Sequence, residues 1–176
     1  ILKKYAVGKD SFLDIGCSNG FILEEAMDFG FKKIVGVEPS TDAIEKASSN
    51  IKPLIINGMF NKKMFEKNTF DMITFFQTFD HITNPNNFLQ NCFNILKDDG
   101  FILAINHNSN SFSAKILGEK SPIIDIGHAY LYNLTTMKKI FEKNNFFVHN
   151  VFPIQNIVSI ERLIQLLPVK STTANT

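Results

Sequence analysis

A chain of 176 residues and 19.9 kDa can bury roughly 70% of its unfolded surface in one core, so it has no need of disulfide or metal staples. Its net charge of +1, its pI near 7.9 and its dispersed lysines argue against a nucleic-acid groove or an anionic membrane surface. Two cysteines, Cys17 and Cys92, form neither a disulfide framework nor a metal-ligand spacing, and no apolar run reaches membrane-spanning length. The expectation is a cytoplasmic protein with no nucleic-acid partner, no metal and no membrane span.

In chain order, ILKKYA has a helical pattern and begins with Ile1 rather than Met, which reads as a start inside a longer protein. Phe12, Leu13 and Ile15 then make a short apolar strand that ends in the turn Gly16-Cys17-Ser18-Asn19-Gly20. Glycine allows left-handed backbone and close approach to a ligand, and the helix that follows offers unpaired N–H groups at its start. That helix is expected over Phe21 to Phe29, with Gly30 ending it. A second strand, Lys33 to Glu38, closes on a carboxylate about twenty residues after the turn, where dinucleotide-type folds bind ribose hydroxyls.

Ser40 or Thr41 is expected to cap a helix over Asp42 to Asn50, and Pro53 to Ile56 reads as a third strand. After an irregular polar stretch, FDMITFFQ is a buried fourth strand. Asn84 and Pro85 open a helix through Leu96, Asp98 to Gly100 make a turn, and FILAIN is strand five. Beyond it come an insert over Ser109 to Asn133, a helix from Thr135 to Asn144, a strand FFVHNVF and an amphipathic segment SIERLIQLLP, suited to a core or a homodimer contact. Strands alternating with helices imply an α/β fold: a doubly wound, Rossmann-like, mostly parallel sheet with helices on both faces. One domain over residues 1–170 and a disordered tail at 171–176 complete the expected organisation.

Three readings of the turn compete. As G-x-S-x-G it matches a hydrolase nucleophile elbow, with Ser18 as nucleophile and Asp125 and His128 downstream, but it lacks the earlier strand and oxyanion loop that an elbow needs. A dinucleotide site would want G-x-G-x-x-G, and Asp14 would place negative charge beside a pyrophosphate. The pattern Asp14-x-Gly16-x-Ser18-x-Gly20 resembles instead the first motif of class I S-adenosylmethionine-dependent methyltransferases. VGVEPS, FDMITFFQTFDHITNP and ILKDDGFILAINHN resemble the later motifs of that family, and residues 110–146 resemble a bacterial subgroup acting on small molecules or cell-surface glycan precursors.

The resemblance implies S-adenosylmethionine as cofactor and a small-molecule methyl acceptor of the sugar or glycan-precursor class. It implies that Asp14 orients the methionine ammonium and that Gly16, Cys17, Ser18, Asn19 and Gly20 line the methionyl moiety, Ser18 keeping a negative φ. Glu38, followed by Pro39, would take the ribose hydroxyls; Gly58, Met59 and Phe60 would flank adenine; Gln77 would face the methionyl end. The Cys17 thiol itself reads as structural. Of the four histidines, His128 and then His107 are the candidate general bases, because His107 ends strand five at the ligand-binding edge and His128 lies in the insert above it. A cofactor-binding domain without catalysis is the alternative within the same fold.

Overall fold

The computed structural model describes residues 8–111 and 127–154. Five strands, β1 (Ser11–Ile15), β2 (Lys33–Glu38), β3 (Ile55–Asn57), β4 (Phe70–Phe76) and β5 (Leu96–Ile105), form one parallel sheet in the order β3-β2-β1-β4-β5. Four α-helices, α1 (Phe21–Phe29), α2 (Thr41–Glu45), α3 (Pro85–Ile95) and α4 (Leu134–Lys143), accompany it. The expected turn at Asp98 to Gly100 is a bulge inside β5: between the pairs Phe70 with Leu96 and Met72 with Phe101, the register slips. The order reverses between β1 and β4, and crevices for ligands open at the carboxyl ends of strands at such a switch point.

The helices begin and end as the sequence directs. Ser40 accepts a hydrogen bond from Ala43 N–H at the start of α2, and Asn84 accepts one from Asn87 N–H, with Pro85 at the first position of α3. Asn133 and Thr136 close a reciprocal capping box on α4, and Gly30 ends α1 in left-handed backbone. Helix α2 stops at Glu45, short of the expected Asn50, because turns over Ala47 to Ile51 carry the chain down to Lys52–Leu54.

Alternation along β1 and β4 divides the core between two faces. Leu13, Ile15, Ile73 and Phe75 join Phe79, Phe88, Leu89 and Cys92 on one. Phe12 and Met72 join Leu23, Ala26, Phe31 and Ile51 on the other. Aromatic rings dominate the first face: Phe75 lies 5.2 Å from Phe88 and 5.6 Å from Phe79, and Phe79 stacks on Tyr132 at 5.0 Å.

The strand expected over FFVHNVF is absent. Phe146 does turn inward, 5.6 Å from Phe141 and 5.4 Å from Phe93, while Phe147 is exposed. Alternation therefore reports which side faces the core, but residues 146–152 make no ladder with β5. Among the described residues the sheet ends at β5. The expectations for residues 1–6, for 112–126 of the insert, for SIERLIQLLP and for the tail lie outside the described residues.

One polar knot ties three strands at the base of the sheet. Asp71 accepts hydrogen bonds from the Ser11 N–H and hydroxyl at 2.8 Å and from Lys97 Nζ at 2.9 Å. Burial raises its pKa, but the Lys97 and Ser11 bonds outweigh that and hold the carboxyl below its ordinary range. A depressed carboxylate stabilises the fold above its unfolded pKa and loses that contribution as pH falls through its folded value. Asp71→Asn is therefore expected to cost about 1–3 kcal/mol near neutral pH. Urea denaturation should show the gap to the parent narrowing as the pH is lowered below about 4.

Candidate active site

The turn after β1 is held by close packing and by one carboxylate. Gly16 has φ 75°, and a Cβ there would lie 2.3 Å from Thr78 Oγ1, across the switch point at the end of β4. Gly20 has φ 80°, and a Cβ there would meet Ile51 at 2.3 Å. Both positions demand glycine for conformation and for space. Contrary to expectation, Ser18 has a positive φ of 52°. Its N–H donates to Glu38 Oε2 at 2.8 Å, while Ser40 N–H donates to Glu38 Oε1 at 2.8 Å. That bond fixes the exposed tip of the turn and accounts for the strained backbone at a non-glycine residue.

Glu38 is thus buried at the end of β2 with both oxygens engaged once, each retaining a lone pair for a further donor. Its backbone carbonyl accepts from Gly58 N–H at 3.0 Å and from the Asn57 amide at 3.1 Å, which brings the end of β3 alongside. Gly58 is open, with nothing where its Cβ would stand, and Met59 is exposed. Phe60 instead turns its ring onto Phe88 at 5.5 Å, so it serves the core. Pro39 and Asn19 are exposed. Beneath the turn Asp14 is buried and accepts a hydrogen bond from Thr74 Oγ1 at 2.6 Å. Burial, with Glu38 nearby, pushes its carboxyl up to about 7, and the Thr74 bond opposes the rise. Burial also pushes the Cys17 thiol up to about 12, in keeping with a structural thiol.

Gln77 closes β4 with φ 50° and is exposed at the switch point. Immediately after it, the short turn Phe79–His81 delivers a residue that sequence reasoning passed over. Asp80 is 1% exposed, and three imidazoles converge on it. His107 Nδ1 lies 2.8 Å from Asp80 Oδ2, His128 Nε2 3.6 Å from the same oxygen, and His81 Nε2 4.0 Å from Oδ1. The ring of His128 sits between the others, 4.7 Å from His81 and 5.1 Å from His107.

The Asp80 carbonyl accepts from Ala129 and Tyr130 N–H at 2.8 and 3.2 Å, which anchors the last part of the insert. The two candidate bases, His128 and His107, are therefore brought together on one carboxylate. His81 Nδ1 lies 2.8 Å from Gly127 O. The adjacent acid and imidazole in FDH were visible in the sequence; the convergence of His107 and His128 on them was not.

The bare Cα atoms of the turn and the paired backbone N–H groups around Glu38 fit a nucleoside carrying an uncharged or cationic tail better than a pyrophosphate. Comparison with known proteins agrees. A family model described as a methyltransferase domain matches residues 2–151. A ubiquinone biosynthesis O-methyltransferase of Glaesserella parasuis is 29% identical over 118 residues, covering 60% of this chain and 50% of that protein. One from Coxiella burnetii is 27% identical over 129 residues, covering 69% and 51%. The chain spans about half the length of the curated relatives it matches.

Among solved structures, a SAM-dependent methyltransferase from Archaeoglobus fulgidus superposes with TM-score 0.68 at 21% identity, covering 93% of this chain and 80% of that one. A Haemonchus contortus phosphoethanolamine N-methyltransferase solved with S-adenosyl-L-methionine gives 0.60 at 23% identity, covering 83% and 35%. The fold is that of the class I methyltransferases.

Because the folded-state pKa of Asp14 is raised, its stabilising contribution is complete below the unfolded pKa and is lost as pH rises through about 7. Asp14→Asn keeps an acceptor for Thr74 and removes the buried charge. The unliganded variant should match the parent near pH 4 and exceed it by on the order of 4 kcal/mol above pH 7. Chemical denaturation across that range measures the difference, and a constant difference would contradict it.

Proposed function

This chain belongs to the methyltransferase domain family, and from that premise we propose that it transfers a methyl group from S-adenosylmethionine to the hydroxyl of a small molecule. The observation that carries the proposal is the pairing, across one switch point, of the Glu38-clamped glycine turn with the Asp80–His107 pair. The relatives named as O-methyltransferases support an oxygen acceptor. The finer expectation of a sugar or glycan precursor rests on the sequence resemblance. The family match removes the basis for Ser18 as a hydrolase nucleophile, since Ser18 serves the turn through its backbone.

When bound, the cofactor supplies an electrophilic methyl group on a positively charged sulfonium. Glu38 takes the ribose hydroxyls on its two remaining lone pairs, and the backbone from Gly16 to Gly20 lines the methionyl part. Asp14, ionised above about pH 7, supplies negative potential beneath the ammonium and sulfonium. Met59 covers the adenine, and Gln77 holds the methionyl end. Alignment of donor and acceptor accounts for much of the rate in a displacement of this kind.

Asp80 Oδ2 accepts the Nδ1 proton of His107 and so leaves Nε2 as a lone pair for the acceptor's hydroxyl proton. With the cofactor held there, the oxygen whose proton passes to His107 would be the nucleophile for its methyl carbon, with the thioether sulfur as leaving group. His128, beside His107, is the second candidate for the same role.

Isothermal titration with S-adenosylmethionine, and separately with NADH, is the test. Micromolar binding of the first and none of the second is expected. Glu38→Ala should weaken it by roughly tenfold or more, as the loss of two hydrogen bonds to a charged acceptor requires, with Glu38→Gln intermediate. Affinity should rise as pH passes through 7 and Asp14 ionises. NADH binding in preference, or binding indifferent to Glu38, would overturn the cofactor assignment.

A further inference from the structure

The arrangement around Asp80 leaves an electrostatic question that the proton-transfer role does not answer. Among the described residues, Asp80 Oδ1 is buried and has no hydrogen-bond partner, although a buried carboxylate oxygen normally has one. It faces His81 Nε2 at 4.0 Å. His81 Nδ1 is 2.8 Å from the Gly127 carbonyl, which can only accept, so Nδ1 is the donor there and Nε2 is the nitrogen left for a ligand. That ring nitrogen and the buried carboxylate oxygen stand at a separation that a shared cation would close, at the exposed edge of the site. A proton cannot bridge that gap, since hydrogen bonds close to about 3 Å.

We propose that Asp80, His81 and His128 form a binding site for a divalent transition-metal ion of the zinc class. Their donor atoms lie within 4.8 Å of one another, and His128 Nε2 is 3.6 Å from Asp80 Oδ2. Donors sharing one such ion sit at about 2.0–2.2 Å from it, hence roughly 3–4 Å apart, so the set closes with small side-chain movements. The Gly127 carbonyl on His81 Nδ1 and the His107 Nδ1–H on Asp80 Oδ2 supply the outer hydrogen bonds that orient metal ligands. Two imidazoles and one carboxylate favour zinc, cobalt, manganese or iron over magnesium and calcium, and leave a coordination position open. On the methyltransfer reading, that position would take the acceptor oxygen and ease its ionisation for His107; metal binding itself does not depend on that reading.

Binding of the metal alone tests the site. The full chain, freed of any affinity tag and stripped with chelator, is titrated with Zn2+ by calorimetry and with Co2+ by visible absorption, in excess Mg2+. One ion per chain is expected, with a tetrahedral or five-coordinate cobalt spectrum. His81→Ala, at an exposed position whose loss spares the core, should weaken it about tenfold or more. Asp80→Asn should weaken it further, His149→Ala should leave it unchanged, and S-adenosylmethionine affinity in His81→Ala should stay within about twofold of the parent. No saturable binding by the parent, or equal affinity in His81→Ala, would overturn the site even if Asp80→Asn failed to fold. Intact cofactor binding in that case would leave the methyltransfer reading standing.

Discussion

Two parallel strands that part at their carboxyl ends set the geometry of everything above them. β1 and β4 are neighbours in register, Asp14 opposite Thr74, yet the chain leaves β1 toward β2 and leaves β4 toward β5. Gly16 and Thr78 meet where they diverge, so closely that no side chain could stand on Gly16. A crevice there is forced by topology, and its two walls have different origins. One is the glycine turn and the ends of β2 and β3; the other is the turn after β4 and the residues following β5.

Three buried carboxylates line those walls, and the sheet treats each differently. Glu38 is met by two backbone N–H groups and serves as a clamp on the turn. Asp14 has one hydroxyl from Thr74, too little to offset its desolvation, and its carboxyl rises to about 7. Asp80 has an imidazole on one oxygen and nothing bonded to the other among the described residues. A buried charge left under-compensated destabilises the unliganded fold. Such groups are retained where a ligand completes the compensation, and the two least compensated carboxylates fall on opposite walls of the same crevice.

Legibility in the sequence followed the range of the interactions. Strand, glycine turn, helix and acid all fall between Ser11 and Glu38, so their spacing showed both the fold class and the glycine-turn wall of the crevice. β1, β2, β4, α1, α3 and α4 emerged within a residue or two of their observed bounds. The positive φ of Ser18 escaped because it depends on a bond to Glu38 twenty residues away. Residues 146–152 carried the alternation of a strand but lacked the ladder, which needs a neighbouring edge in register and not only an apolar face. Asp80 was overlooked for a similar reason: a lone acid in a loop becomes chemically distinct only when His107, 27 residues on, and His128 fold over it.

The wall built around Asp80 is accordingly the part of the crevice least dictated by the fold. Its histidines come from three separate segments: the turn after β4, the end of β5 and the last part of the insert. Each can change without disturbing the sheet, since Asp80 is anchored by backbone bonds from Ala129 and Tyr130 and the aromatic core of Phe75, Phe79 and Phe88 lies below it. His107 and His128 share Asp80 with His81, so substitution of any one changes the contacts that hold the other two. The imidazoles therefore act as a unit with their carboxylate, and single substitutions within it should be non-additive. The glycine-turn wall, held by backbone geometry at Gly16 and Gly20, leaves no comparable freedom.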